Sequence, residues 1–235
     1  MDTIARSPNQ FLAALSAADF DLLRPHLRPF KLVHEAVLVA TGATLPHVFF
    51  SLDGIISLVV RLAEGQMIEA AMIGRDSILG GSAPLDGAIA VNDAIVQLAG
   101  TASVLDVGQL RAAASQSESL RTAVIRHDQA LFAQAQQSAA CNASHTVEAR
   151  LSRWLLRAHD LSESSALHLT QEFLSQMLGV QRTSVTVVAR TLQHAGLIHY
   201  GRGNIQIADL DGLIESSCEC YKTVKAYYDK LRTPD

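Results

Sequence analysis

The sequence predicts an α+β protein with three regions: an N-terminal antiparallel β-roll of the jelly-roll type, a long helix and a mainly helical C-terminal region. Short apolar segments alternate with turn residues over roughly the first 100 residues, which is typical of a β-roll. From Ser117 to Ala140 neither glycine nor proline occurs, as expected of a long helix. Two short amphipathic segments then flank Gly179 and precede a glycine-rich hairpin. The domain boundaries that follow are 1–116, 117–145 and 146–235.

The composition is that of a globular protein, with 49% hydrophobic and 18% charged residues in a chain of 235 residues and a formal net charge of −4. The first residues lack the pattern of a secretory signal, and the apolar runs fall short of the roughly 20 residues that cross a bilayer. We therefore expect a cytoplasmic protein with no membrane partner. The β-roll region shows no nucleophile–base pair and no metal-ligand spacing, so we do not expect an enzyme.

Three cysteines, Cys141, Cys218 and Cys220, are too few and too irregularly spaced for a disulfide framework or a zinc finger. Cys218 and Cys220 are expected to point apart, because residues two positions apart on a helix do not share a face. We interpret the thiols as buried or incidental, and we predict no metal site and no cofactor. A redox pair is the alternative.

Five apolar segments are predicted to be strands of the β-roll, namely residues 37–39, 48–50, 55–60, 67–70 and 94–98. Glu64 and Gly65 supply a turn between the third and fourth segments, which predicts a β-hairpin there. A short helix is predicted before the strands, with Ser7 as its N-cap and Pro8 in its first turn.

In the predicted long helix, apolar residues recur at helical spacing. Such a stripe has two interpretations: it packs against its own domain, or it forms a seam between two helices of a homodimer. His127 and Asp128 interrupt the stripe, so the periodicity alone leaves both open. The residues assigned to the dimer helix are Leu120, Val124, Leu131, Phe132 and Ala135.

A local excess of arginine marks the beginning of the C-terminal region. Residues 150–202 contain six arginines against three acidic residues, whereas the whole chain is acidic. An amphipathic helix predicted over residues 146–160 directs its apolar side chains inward and Arg150, Arg153 and Arg157 outward. A basic surface of this kind suits the phosphates of nucleic acid.

The segment from Leu169 to Ile198 predicts a helix-turn-helix. Thr170 can cap a first helix that ends at Leu178, and Gly179 supplies the positive φ for a sharp turn before a second helix over residues 182–194. The second helix of such a motif enters the major groove of DNA, and a two-stranded wing follows it here. The residues predicted to contact double-stranded DNA are Thr170, Gln171, Gln181, Arg182, Thr183, Ser184, Thr186, Arg190 and, in the wing, Arg202.

These segments resemble the Crp/Fnr family of bacterial transcription regulators over nearly the whole chain. The resemblance is carried by residues 145–160 and 169–178, by Val180-Gln-Arg-Thr-Ser-Val and by residues 192–198. It implies a β-roll similar to cyclic-nucleotide-binding domains, a dimerising helix and a C-terminal winged helix-turn-helix. It thereby favours the dimer interpretation of the long helix. It also implies a homodimer on half-sites about 34 Å apart, with RNA polymerase as a further candidate partner.

The presumed recognition helix departs from the catabolite-activator branch of that family at two positions. Arg182 matches the arginine of that branch, so we expect it to contact guanine. Thr183 stands where that branch has a glutamate, and Val187 stands where it has a second arginine. The preferred operator should therefore differ.

The effector pocket also departs from the pattern of cyclic-AMP-binding members, which place an arginine on the cyclic phosphate. The residues assigned to the pocket are Arg75, Gly80, Gly81 and Ser82, and no lysine or arginine occurs from residue 76 to residue 110. An anion pocket without a cation is not expected to hold a phosphate. We therefore predict that ordinary cyclic nucleotides do not regulate the protein and leave its effector unknown.

Other effector mechanisms stay open as alternatives. They are a cyclic-nucleotide response through a non-standard phosphate pocket and haem or redox sensing, with His26, His34 and His47 as available haem ligands. The iron–sulfur branch of the family uses N-terminal cysteines, and no cysteine precedes Cys141 here, which excludes that mechanism.

Overall fold

The computed structural model describes residues 7–83, 89–162, 164–201 and 203–232 and has the α+β architecture expected from the sequence. Two short helices, α1 (Gln10–Ala14) and α2 (Ala17–Leu23), and a 3-10 turn (Arg24–His26) precede the β-roll. The strands of the β-roll are β1 (Arg28–Leu32), β2 (Val37–Val39), β3 (His47–Ser51), β4 (Ile55–Arg61), β5 (Met67–Ile73), β6 (Ile78–Leu79), β7 (Asp93–Leu98) and β8 (Gly100–Asp106).

The N-cap of α1 is Asn9, so the prediction of Ser7 as the cap is wrong. The Asn9 side chain accepts a hydrogen bond from the Leu12 amide at 3.1 Å and donates to the carbonyls of Ser51 and Ser77. Asn9 is fully buried, and the cap therefore also anchors α1 to the β-roll. The Ser7 hydroxyl accepts a hydrogen bond from the Asn9 amide instead.

Two four-stranded antiparallel sheets form the β-roll, with the strand orders β1-β8-β3-β6 and β2-β7-β4-β5. All five predicted strands are present, and β4 and β5 form the predicted hairpin, in which Gly65 has a φ of +86°. The strands β1, β6 and β8 were not predicted. β1 contains Pro29 and exposes four of its five residues, β6 has two residues, and β8 begins with small and polar residues, so none of them carries an apolar run.

The long helix is α4 (Glu118–Ser144), which follows α3 (Val107–Gln116) and is capped by the Ser117 hydroxyl. Leu120 and Val124 are buried in the core of their own β-roll. These two residues therefore cannot form a seam with a partner, which corrects their assignment to the dimer helix. No helix in the described part of the chain, including α4 with its 27 residues, has the apolar length of a membrane span.

In the described residues, the C-terminal region combines seven helical and strand segments around one core with a last helix that returns to α4. Trp154, Leu174 and Val185 are among the residues of this core, and β9, β10 and β11 form a small sheet in the order β10-β11-β9. The segments are α5 (Val147–Ser162), β9 (Ala166–His168), α6 (Gln171–Leu178), α7 (Arg182–His194), β10 (Ile198–Gly201), β11 (Asn204–Ile207), α8 (Leu210–Ser216) and the last helix, α9 (Cys220–Arg232).

The three arginines of α5 are buried, which contradicts the prediction that they face solvent. The Arg157 guanidinium makes two hydrogen bonds to the Asp76 carboxylate, the shorter of 2.6 Å, and lies 4.6 Å from the centre of the Tyr228 ring. The Arg150 guanidinium donates to the Leu178 carbonyl. The periodicity of α5 gave the correct apolar face. The opposite face is not exposed to solvent, because it packs against the β-roll and α9. The periodicity of the sequence could not show these contacts.

The cysteines correct a further prediction. Cys218 lies in the link between α8 and α9, and Cys220 is the first residue of α9. The two cysteines therefore do not belong to one helix, and the expectation that their side chains point apart does not apply. Cys141, Cys218 and Cys220 form one buried cluster.

Candidate DNA-binding site

The helix-turn-helix consists of α6, a turn at Gly179 and α7. The Thr170 hydroxyl accepts a hydrogen bond from the Phe173 amide at 3.1 Å and so caps α6, as predicted. Gly179 has a φ of +61°, and its amide closes the last turn of α6 on the carbonyls of Ser175 and Gln176. Local capping and a left-handed glycine thus fix the angle between the two helices.

The helix α7 has one buried face and one polar face. Val185, Ala189 and Leu192 pack into the core of the C-terminal region. The other face is accessible: Gln181, Arg182, Thr183, Val187 and Arg190 are exposed, and Ser184 and Thr186 are half-buried. A guanidinium and two hydroxyls therefore lie at the N-terminal end of this helix, where the free backbone amides also favour an anion.

The side chains of Gln171 and Thr186, both predicted to contact DNA, are hydrogen-bonded to each other. The Thr186 hydroxyl is 2.7 Å from Oε1 of Gln171 and 3.0 Å from the Arg182 carbonyl. This contact connects the beginning of α6 with the first turn of α7. The side chains of Gln171 and Thr186 therefore position the recognition helix, in addition to any contact that they make with DNA.

The wing is the β10–β11 hairpin, in which Gly203 has a φ of +76°. Arg202, the residue predicted to contact DNA from the wing, lies outside the described residues. Tyr200 was not predicted as a site residue, yet it interacts with Arg182 and with the Gln171 backbone. Its own amide donates to the Gln193 side chain at 3.0 Å. Tyr200 thus ties the wing to both helices of the motif.

A buried polar network joins the DNA-binding region to the β-roll. The Trp154 indole donates to the Glu69 carboxylate at 2.9 Å, and the Ser57 hydroxyl donates to the same carboxylate. Burial raises the pKa of Glu69 to about 7, although the Ser57 hydrogen bond and the charges of Arg153 and Arg157 oppose the rise. The helix α7 is therefore held against the β-roll through α5.

The β-roll contains a cavity of about 450 Å³ that α4 closes on one side. Gly80, Gly81 and Ser82 line it, as predicted, but Arg75 does not. The Arg75 carbonyl accepts a hydrogen bond from the Gln10 amide at 2.6 Å, at the start of α1. Arg75 therefore does not belong to the described lining of the cavity, which corrects its assignment to the effector pocket.

The chemistry of this cavity is mainly apolar. Asp128 of α4 belongs to its lining, and the described lining residues include no lysine or arginine. Three residues assigned to the dimer helix, Leu131, Phe132 and Ala135, also line it. The same turns of α4 thus contact the cavity and present an exposed apolar side chain, since 65% of Phe132 is accessible.

Comparisons with known proteins agree with this geometry. Residues 149–216, which comprise most of α5 and the helices and hairpin as far as α8, match a family model described as a Crp-like helix-turn-helix domain. This match identifies a DNA-binding helix-turn-helix of the Crp type in the C-terminal region. A search of curated proteins gave no match.

Several solved structures share the fold of more than four-fifths of the chain. FixK2 from Bradyrhizobium japonicum aligns with a TM-score of 0.70 at 13% identity and covers 82% of this chain and 98% of its own. A putative Crp/Fnr regulator from Eubacterium rectale aligns with a TM-score of 0.67 at 15% identity, covering 86% and 94%. CLP from Xanthomonas campestris, a regulator responsive to c-di-GMP, aligns with a TM-score of 0.64 at 14% identity, covering 83% and 100%.

Proposed function

We propose that this protein is a transcription regulator of the Crp/Fnr type. It acts as a homodimer that reads a roughly palindromic operator through α7 in the major groove, under the control of a small-molecule signal in the β-roll cavity. The observation that carries the proposal is the accessible polar face at the N-terminal end of α7, with Arg182 at its beginning. A guanidinium in that place can make two hydrogen bonds to the O6 and N7 atoms of guanine.

Replacement of Arg182 by alanine tests the reading of DNA. One bidentate contact to guanine contributes about 1–3 kcal/mol to discrimination between bases, which corresponds to a loss of roughly 5- to 150-fold in preference for the selected site. The site would be selected from fragments upstream of the protein's own gene and from random DNA, and affinities would be compared by gel shift at fixed salt.

The matched control is Arg24→Ala, which removes an exposed arginine of the 3-10 turn before the β-roll and should leave both affinities unchanged. Equal weakening of Arg182→Ala on specific and random DNA would assign Arg182 to phosphate contact instead. Absence of any selected site for the wild type would refute sequence-specific recognition.

The homodimer rests on the outer face of α4, where Phe132 is 65% exposed and Ile125 is 41% exposed. Large apolar side chains in this position on an otherwise polar helix face are expected to be covered by a second copy of the helix. We expect Phe132→Asp to convert the dimer to a monomer in sedimentation, whereas Val33→Asp, at an exposed residue of the β-roll, should not. A wild-type monomer at micromolar concentration would contradict this part of the proposal.

The proposed signal is a small molecule without phosphate. The cavity of about 450 Å³ is large enough for a metabolite, and its lining contributes the Asp128 carboxylate but, among the described residues, no cation. An anionic ligand would lose its hydration without gaining a counter-charge. We therefore do not expect this protein to respond to c-di-GMP as the Xanthomonas regulator does.

A coupling between signal and DNA follows from the position of α4. Leu131, Phe132 and Ala135 line the cavity and belong to the proposed dimer face. A ligand that shifts these side chains changes the contact between the two α4 helices. Since α4 leads into α5 and the helix-turn-helix, the distance between the two recognition helices changes with it.

A further inference from the structure

Four potential metal ligands meet at the junction between α4 and the end of the C-terminal region. Cys141 is in the last turn of α4 and His145 directly follows this helix, while Cys218 and Cys220 flank the start of α9. Their ligand atoms all lie within 4.8 Å of one another. Because 77 positions separate Cys141 from Cys218, the spacing in the sequence gives no sign of this cluster.

The distances within the cluster fit a tetrahedral ion. The Sγ atoms of Cys141 and Cys218 are 3.6 Å apart, and Sγ of Cys220 is 3.7 Å from Nδ1 of His145. With Zn–S bonds of about 2.3 Å and a Zn–N bond of about 2.0 Å, a regular tetrahedron has S···S edges of about 3.8 Å and S···N edges of about 3.5 Å. These two distances are therefore already close to the edges of a zinc tetrahedron, and the other ligand atoms lie at most 4.8 Å apart.

The surroundings supply the second layer of contacts that metal sites require. The Nε2 atom of His145 is 3.2 Å from the Glu219 carboxylate, which leaves Nδ1 to face the thiols. A histidine that binds a metal through one nitrogen commonly donates its other N–H to a carboxylate. The Gln137 amide donates to Sγ of Cys220 at 3.0 Å, a bond that also stabilises a thiolate.

The local charge suits an ion with three thiolate ligands. A divalent ion with three thiolates and a neutral imidazole carries a net charge of −1. The buried guanidinium groups of Arg150 and Arg153 interact with Cys141 and offset that charge. A disulfide between Cys141 and Cys218 would involve only two of the four side chains. It would not account for the presence of Cys220 and His145 in the same cluster.

We propose that Cys141, His145, Cys218 and Cys220 form a closed, structural zinc site. Three thiolates and one imidazole in tetrahedral arrangement are the ligand set that zinc prefers in structural sites, where all four positions belong to the protein. The ion joins the end of α4 to the link before α9. It thus fixes the junction between α4, the proposed dimer helix, and the DNA-binding region.

Metal analysis of the full-length protein tests the proposal. After purification in a reducing buffer and passage over a chelating resin, wild type should retain one zinc ion per protomer, and Cys218→Ser and His145→Ala should retain only background. His26→Ala, which removes an exposed histidine of the 3-10 turn before the β-roll, is the matched control and should retain the ion. This measurement requires no DNA, so its result is independent of the test of operator recognition.

Cobalt substitution covers the case in which a cysteine variant does not fold. Titration of metal-free wild type with Co²⁺ should give the intense visible bands of a tetrahedral site and a thiolate-to-cobalt charge-transfer band that saturate at one equivalent, and zinc should displace the cobalt. Removal of the ion should lower the melting temperature of wild type but not that of His145→Ala.

Three results would overturn the proposal. One is zinc-free wild type with three freely alkylated thiols. Another is a pale, octahedral cobalt spectrum. The third is a mass two hydrogens below that of the reduced chain, with no metal, which would make the cluster a disulfide switch.

Discussion

Replacement of Glu69 by glutamine should remove a defined part of the pH dependence of stability. The Glu69 carboxyl lies buried between β5 and α5 and accepts hydrogen bonds from Ser57 and Trp154. Burial raises its pKa from the ordinary 4.5 to about 7. The folded protein therefore retains a proton that the unfolded chain releases at lower pH. A glutamine is uncharged at every pH and resembles the protonated acid in shape.

The sign and size of the effect follow from linkage. For an acid whose pKa is raised by folding, the contribution to stability is complete below the unfolded value, near pH 4.5, and is lost as the pH rises through about 7. Each pKa unit is worth about 1.4 kcal/mol, so ionisation should cost wild type about 3 kcal/mol. In a chain of this size that corresponds to about 6–12 °C in melting temperature.

Calorimetric melting of both proteins from pH 5 to pH 8 at constant ionic strength provides the measurement. The two should melt at similar temperatures near pH 5, and Glu69→Gln should become the more stable as the pH rises. Glu64→Gln, at the exposed tip of the same hairpin, is the control and should follow wild type. Parallel curves for wild type and Glu69→Gln would refute the argument, because they would show that Glu69 carries the same charge in the folded and the unfolded chain over this range.

Three further outcomes are expected. Calorimetry should show no saturable heat with cyclic AMP or cyclic GMP up to about a millimolar, since the described lining of the cavity offers Asp128 and no cation; micromolar binding would contradict this. Asp76→Asn should lower the free energy of unfolding in urea by about 3–5 kcal/mol, because buried Arg157 loses its counter-charge, and a loss below about 1 kcal/mol would show that water replaces the pair. Gly179→Ala should cost about 1–2 kcal/mol in the same assay, because φ is +61° and the new Cβ would lie 3.2 Å from Ile68, whereas an unchanged midpoint would mean that the turn can readjust.

The helix-turn-helix could be predicted from the sequence almost to the residue. The structure confirms the cap at Thr170, the left-handed Gly179 and the bounds of α7. Each of these signals acts between residues close in the chain, so the local sequence contains the information. The five predicted strands of the β-roll were recognised for the same reason, and β1 and β8 were missed because their pairing with each other depends on residues about 70 positions apart.

The errors have a common origin in contacts between distant segments. The periodicity of α5 correctly separated its two faces but could not show that Arg157 meets Asp76 of the β-roll. The stripe of α4 was recognised, but its first residues, Leu120 and Val124, pack on their own domain. The cysteine cluster required the same knowledge, because α9 has to return to α4 before Cys218 can approach Cys141.

The position of the chain's single tryptophan makes movements of the protein observable without a label. Trp154 is 1% exposed, donates to Glu69 of the β-roll and lies edge-on to the Phe173 ring of α6, with 5.8 Å between ring centres. Any separation of the DNA-binding region from the β-roll admits water to the indole and shifts its emission to longer wavelength. Stopped-flow fluorescence of the unmodified protein can therefore follow, in real time, the rearrangement that a signal molecule or an operator produces.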